Sequence, residues 1–412
     1  MTPRRPGLIG AGILALGMSW ASAVRSPAVS AIRTSPESRA AYLAHAEIWR
    51  EPQGLSPAEL LDGPAGTFPF TFEQAASDSG IACTYAQPGR ELGGKSEKFR
   101  CRTADGRNLR LKYWDVESQK GNREAFATVA ASRLMWVLGF STIPAESVTL
   151  VCSGCPENPH EGAGTPRTRR YVAMLEAAWP LPVILSGDNK DQGWSWHELD
   201  SAIRSLPQGP DRTRQRTHFD ALTLLGVFLQ HGDRKNEQQA LYCSGPVDTD
   251  AGTVVPSKST APPMLVERPG TSACPAPAVG IVDIGATFGS AGRTSSETTA
   301  KMNLAEWEKK HVFLKTGDAT CRGDITISLK AGHDGEGNPP ISEEGRLFLL
   351  EQLHRLTPDH VKAIFRAARV DQLQPRDAHP SSDSVNAVDA WAAAFQDKLR
   401  QIEAQHCQPI TN

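Results

Sequence analysis

The chain has 412 residues, enough for two lobes or domains with a substantial core. Hydrophobic residues make up 39% and charged residues 22%, the balance of a soluble globular protein. A net charge of −2 carries no basic excess, which argues against nucleic-acid binding.

The first 23 residues read as a signal peptide. Arg4 and Arg5 precede an apolar run from Leu8 to Trp20, and Ala21-Ser22-Ala23 supplies a small-residue cleavage signal. Cleavage near Ala23 starts the mature chain near Val24 and makes it secreted or periplasmic. The apolar run is too short to span a bilayer comfortably, and no later segment approaches that length, so no membrane span is expected in the mature chain. The eight cysteines all lie beyond this leader. An even count in an exported chain reads as disulfides before metal ligands, and eight cysteines allow 105 pairings.

Residues 24–66 form an N-terminal extension that reads as peripheral, with a short helix from Ala40 to Trp49 capped by Ser35 or Ser38. Residues 67–178 read as a β-rich unit. Asp105-Gly106 between two strand-like runs is a hairpin signal. The strand that follows, Asn108 to Trp114, alternates, with Leu109 and Leu111 on one face and Arg110 and Lys112 on the other. Cys83 and Cys101 fall on adjacent strands, near enough to bridge. A helix from Asn122 to Leu138 carries Glu124 near its start and buries Phe126, Val129, Ala130, Leu134 and Val137. Two more strands follow, separated by a loop bearing Cys155. Cys152-x-x-Cys155 lacks a second such pair, so a structural bridge is favoured over redox chemistry or a zinc site.

Residues 179–412 turn helical. A helix over residues 211–230 delivers the polar loop His231-Gly-Asp233-Arg-Lys-Asn-Glu-Gln238. The stretch 244–279, with seven prolines and many Ser, Thr and Gly residues, reads as a low-complexity insert bracketed by Cys243 and Cys274. A short strand then ends at Asp283, just before Ile284-Gly285. Ser342 and Thr357-Pro358 open two helices, residues 384–405 form a last one, and Cys407 is placed to reach Cys321.

Two acids delivered in this way, Asp233 on a loop after an apolar helix and Asp283 at a strand end before glycine, suit a site that orients a hydroxyl and holds a divalent cation against phosphate oxygens. The order Lys112, Glu124, Asp233, Asp283 resembles the protein-kinase-like fold. It is closest to the atypical branch of secretory-pathway, CotH, HipA-type and phosphoinositide kinases, with motifs spread over most of residues 67–370. The resemblance implies an α+β chain in two lobes, a β-rich N-lobe with one helix over a mainly helical C-lobe. It makes Lys112 the lysine that pairs nucleotide phosphates, Glu124 its orienting partner, Asp233 the catalytic aspartate and Asp283 the metal-holding one. Gly93 and Gly94 would cover the phosphates, and the backbone from Glu176 to Ala178 would meet the adenine. Gln238 stands where protein kinases carry the second metal ligand, an asparagine, and Asn236 and Glu237 lie near enough to substitute.

The implied function is an exported phosphotransferase using ATP and Mg²⁺ or Mn²⁺ on a protein, sugar or lipid headgroup. Two alternatives accompany it. One is a pseudokinase that binds or scaffolds without transfer, and the other is a disulfide-stapled interaction protein whose acidic loop holds Ca²⁺ structurally.

Overall fold

The computed structural model describes residues 29–86, 96–177, 181–186, 193–256, 263–289, 301–315, 321–325, 337–373 and 387–408. The signal peptide, Gly93, Gly94 and Ala178 therefore lie outside the described residues. The chain begins with β1 (Ala31–Thr34), α1 (Pro36–Ala44), α2 (Pro57–Asp62) and α3 (Phe72–Ala76). Each helix starts where a hydroxyl can take an orphan amide: Ser35 accepts from Ser38, Ser56 from Glu59 and Thr71 from Gln74.

The β-rich unit follows as β2 (Ile81–Ala86), β3 (Lys98–Thr103), β4 (Asn108–Asp115) and the two-residue β5 (Lys120–Gly121). After α4 (Glu124–Val137) come β6 (Ala145–Cys155) and β7 (Arg167–Glu176). The strand order is β3-β2-β6-β7-β4-β5, with β3 also paired to β4. That extra pairing closes β2, β3, β4, β6 and β7 into a five-stranded barrel. The β3–β4 link follows from the Asp105-Gly106 turn, where Gly106 sits at φ +84°. The opposite closure is the parallel pairing of β2 with β6. Phe99, Leu111, Tyr113, Val148 and Tyr171 fill the interior and are all buried. Closure leaves no open edge among these five strands.

The barrel's outer face carries the alternate residues of β4 and β7, among them Trp114, Val172 and Met174. Against it lies α4, buried on nearly every side because the helix Pro358–Ala367 packs on its far flank. Arg133 anchors the helix by donating to the Leu60 and Ala145 carbonyls at 2.9 Å each and by pairing with the buried Glu146.

The second half holds β8 (Val183–Ser186), α5 (Trp196–Ser205), α6 (Pro210–Leu229), β9 (Gln239–Cys243), β10 (Gly252–Val255), β11 (Met264–Glu267) and β12 (Pro277–Ile281). Then come α7 (Leu304–Lys309), α8 (Glu343–His354), α9 (Pro358–Ala367) and α10 (Ala387–Ala404). Its strands make a second six-stranded sheet in the order β10-β11-β1-β8-β9-β12. β1 is parallel to both β8 and β11, so the N-terminal segment is an inner strand and not a peripheral extension. Behind it the buried Glu267 accepts hydrogen bonds from Thr34, Tyr42 and the Ala273 amide, satisfying a carboxylate that burial would otherwise penalise.

The protein-kinase-like two-lobed layout expected from the sequence is not met, although the chain is α+β. The N-terminal sheet is a closed barrel rather than an open lobe. Where a mainly helical lobe was expected, a six-stranded sheet draws its strands from residues 31 to 281. The physical reason is that the insert over 244–279 supplies β10 and β11, which pair with each other and, through β11, with β1.

The four disulfides are Cys83–Cys101, Cys152–Cys155, Cys243–Cys274 and Cys321–Cys407, with Cα separations of 5.2 to 5.8 Å. No helix among the described residues is long and apolar enough to cross a membrane. Cys321–Cys407 spans 86 residues of sequence and Cys83–Cys101 spans 18. In the loop-entropy account these contribute about 4.5 and about 3 kcal/mol. Urea titration is expected to show a larger loss for the Cys321→Ser/Cys407→Ser double variant than for Cys83→Ser/Cys101→Ser. The reverse order would mean that residual structure in the unfolded chain, not loop length, sets the stabilisation.

Candidate functional site

The alternation of β4 decides where its charges go. Leu111 and Tyr113 enter the barrel, so Lys112 and Trp114 face α4. Trp114 meets Phe126 edge-on at 6.0 Å, and the Arg123 guanidinium lies 5.5 Å over the same indole. These contacts bring the first turn of α4, and with it Glu124, onto Lys112.

The Lys112 Nζ lies 2.7 Å from Glu124 Oε2, 3.4 Å from Asp283 Oδ1 and 4.0 Å from Glu176 Oε1. The four carboxylate and ammonium groups divide by exposure. Lys112 and Glu124 are inner groups, their side chains 12% and 6% exposed, whereas Glu176 and Asp283 keep 39% and 40% and open to solvent. Glu124 is further held by Ser96 Oγ at 3.0 and 3.2 Å and by the Lys301 ammonium.

Asp283 approaches because Gly285 permits it. A Cβ at position 285 would stand 2.8 Å from Thr128 Oγ1 and 2.9 Å from Glu124 Cγ, so a side chain there would push the loop off α4. The Gly285 amide donates to Asp283 Oδ1 at 3.3 Å. The second oxygen of Asp283 accepts no hydrogen bond among the described residues.

Asp233 arrives from the other side. After α6 the chain turns through Gln230 in the left-handed region (φ 57°) and runs to Asp233. Gln238 Nε2 donates to Asp233 Oδ2 at 2.6 Å, and the Lys235 ammonium lies 3.2 Å from Oδ1. The Gln238 carbonyl accepts from the amides of Val282 at 2.7 Å and Asp283 at 3.2 Å, so one residue touches both acid loops. His231 is fully buried, with neither ring nitrogen hydrogen-bonded among the described residues. Burial, then the Arg234 cation, pushes it down to about 3, so it is neutral at working pH.

The structure thus gathers Lys112, Glu124, Glu176 and Asp283, and links Asp233 to them through Gln238. Two assignments change in kind. Glu176 enters as a side chain in the ion cluster rather than as hinge backbone. Gln238 turns its amide nitrogen to Asp233 and its oxygen to the Lys235 amide at 3.4 Å, which makes it a positioning residue. Asn236 lines a separate cavity of about 320 Å³ with Pro36, Arg39, Ser195 and Glu198. Lys301 and Lys98 were not anticipated. Lys301 follows a polar stretch with no periodic signal, but the Asp105-Gly106 turn fixes a register that places Lys98 opposite Lys112. Among the described residues no group of three or more His, Cys, Asp or Glu side chains is arranged to hold a metal ion.

Electrostatics follow from the geometry. Burial alone would lower the Lys112 pKa, but Asp283, Glu124 and Glu176 outweigh it and hold the ammonium above its ordinary range. Burial would raise Glu124, yet Lys112 and Lys301 bring it down to about 2. Glu176 is pushed up, by burial first and then by Asp283 and Glu124 despite the pull of Lys112.

A carboxylate held below its unfolded value stabilises the fold above that value, and the contribution is lost as pH falls through the folded one. For Glu124 the window runs from about 4.5 down to about 2. Glu124→Gln is expected to cost about 3 kcal/mol at pH 7, because two inner lysines lose their carboxylate. The difference from wild type, followed by denaturant titration, should shrink as pH drops from 4.5 toward 2. A gap that stays constant across that range would show that the ion cluster contributes nothing specific.

No protein-family model matches the chain, and no curated protein matches it. Among solved structures it is similar to a Helicobacter pylori proinflammatory kinase, CtkA, at 11% identity and a TM-score of 0.35, over 79% of this chain and 98% of that one.

Proposed function

We propose that the side-chain cluster around Lys112 binds ATP with Mg²⁺ or Mn²⁺ and transfers a phosphoryl group to a hydroxyl of a protein, a sugar or a lipid headgroup outside the cytoplasm. The proposal rests on side chains at one site and not on the fold. The observation that carries it is Lys112, kept charged by Glu124 while Asp283 beside it retains an oxygen without a partner among the described residues. Phosphoryl transfer demands placement and charge cancellation more than covalent help, and this pairing of a fixed cation with an available carboxylate supplies both.

Lys112 would hold the nucleotide phosphates and Glu124 would fix Lys112. Asp233 would orient the acceptor and take its proton as the hydroxyl oxygen bonds the γ-phosphorus and the bond to the bridging oxygen of ADP breaks. Asp283 and Glu176 offer hard oxygens that fit a divalent cation, and Gln238 does not, because its amide is committed to Asp233. Such a cation would neutralise charge on the β- and γ-phosphates. The reading includes export, since four disulfides are the covalent chemistry of an oxidising compartment.

A second reading keeps nucleotide binding without transfer. It is favoured by one feature: both oxygens of Asp233 are engaged, by Gln238 and by Lys235, so an acceptor hydroxyl must displace a donor to reach it.

Thermal unfolding with ATP plus Mg²⁺ or Mn²⁺ separates these readings from a structural cation site. Stabilisation by nucleotide and metal together, lost in Asp283→Ala, is the expected result. Stabilisation by Ca²⁺ alone would replace the proposal with a structural calcium site. Label transfer from γ-labelled ATP should then fall by about 10² or more in Asp233→Ala. Binding without any transfer in the wild-type chain would leave the second reading.

A further inference from the structure

Lys98 opens β3 directly opposite Lys112 on β4, so the two side chains share the outer face of the barrel. It is 5% exposed, and its ammonium makes no hydrogen bond or ion pair with the described residues. Its backbone is fixed, since the carbonyl lies 2.9 Å from His160 Nδ1. Burial lowers its pKa, and Arg110 and Lys112 lower it further, against the smaller pull of Glu124 and Asp283.

A largely buried lysine that faces a second lysine across a strand pair is costly. The surroundings do not relieve it. Glu124 is already shared by Lys112 and Lys301 and so does not answer Lys98 as well. An anion entering beside Asp283 would find two lysines side by side. Neighbouring strands lie about 4.8 Å apart, so the pair can grip successive phosphates of one chain, while a single phosphate occupies only one of them.

Building on the nucleotide reading above, we infer that Lys98 is a second phosphate-binding lysine of this site and that it selects polyphosphate ligands, di- or triphosphates, over monophosphates.

The test uses the full oxidised chain and three variants, Lys98→Met, Lys98→Arg and Asp283→Ala. Calorimetric titration with ATP, ADP, AMP and inorganic tripolyphosphate, each with Mg²⁺, reads the selectivity. The wild-type chain should bind in the order ATP, ADP, AMP. Lys98→Met should lose about 10- to 100-fold in affinity for ATP and tripolyphosphate, the worth of one charge-assisted hydrogen bond set, with AMP unchanged. Lys98→Arg should keep most of the ATP affinity. Without ligand, Lys98→Met should melt no lower than wild type, because it removes a like-charge pair; a lower melting temperature together with equal losses for all four ligands would mark Lys98 as a structural residue and overturn the inference. Wild-type affinities in Lys98→Met, with Asp283→Ala still weakened, would overturn it while leaving the nucleotide site intact. Failure of the wild-type chain to bind any of the four would overturn both.

Discussion

A lysine buried at the seam between a barrel and a helix has to stay charged, and the site is arranged around that requirement. Removing Lys112 from water is expensive, and an isolated ammonium there would lose its proton or disrupt the packing. Three carboxylates from three different elements prevent this: Glu124 from α4, Glu176 from the end of β7 and Asp283 from the loop after β12. The contacts that hold these elements are apolar and local. Trp114 against Phe126 sets α4 on the barrel, and the missing side chain at Gly285 lets the Asp283 loop lie on α4. The ion cluster is thus a consequence of packing, and it in turn penalises any shift of the barrel against the second sheet.

That second sheet delivers the other half of the site. β9 begins at Gln239 and β12 ends at Ile281, and these two residues are register partners. The loops that carry Asp233 and Asp283 therefore leave the same end of one antiparallel pair. Gln238 joins them, its carbonyl receiving the Val282 and Asp283 amides and its side chain holding Asp233. An asparagine there would be one methylene shorter and could not keep both contacts without moving the backbone. Gln238 therefore positions two acids rather than adding an oxygen of its own.

Much of the local structure is legible in the residues. The alternation of β4, the Asp105-Gly106 turn and the caps at Ser35, Ser342 and Thr357 are short-range signals, and the structure realises each of them. Cysteine pairing follows from the same reasoning, since adjacent strands and insert ends bring sulfurs together. What escapes is pairing at long range. β1 has four residues and no distinguishing period, yet it bonds β8 and β11, more than a hundred residues away. Barrel closure depends on a parallel β2–β6 contact that no turn announces. The proline-rich stretch after Cys243 has the composition of an excursion, but its two strands and Glu267 join a buried network. Lys98 is a different case, because counting register outward from the turn places it opposite Lys112 without any knowledge of the fold.

The loop that bears Asp233 shows how firmly one half-buried acid can be held. Behind it, Arg234 is fully buried with its guanidinium 4.3 Å over the Trp196 ring and its Nε donating to the His231 carbonyl. Burial lowers Arg234 to about 10, still charged at neutral pH, and keeps His231 uncharged there. Asp233 alone of the three keeps partial exposure, its side chain 28% exposed. Its neighbours Arg234 and His231 are held by packing inside the protein. A side chain held in this way can meet a hydroxyl, or refuse one, with little rearrangement of its backbone. What remains adjustable is which donor, Gln238 or Lys235, gives way.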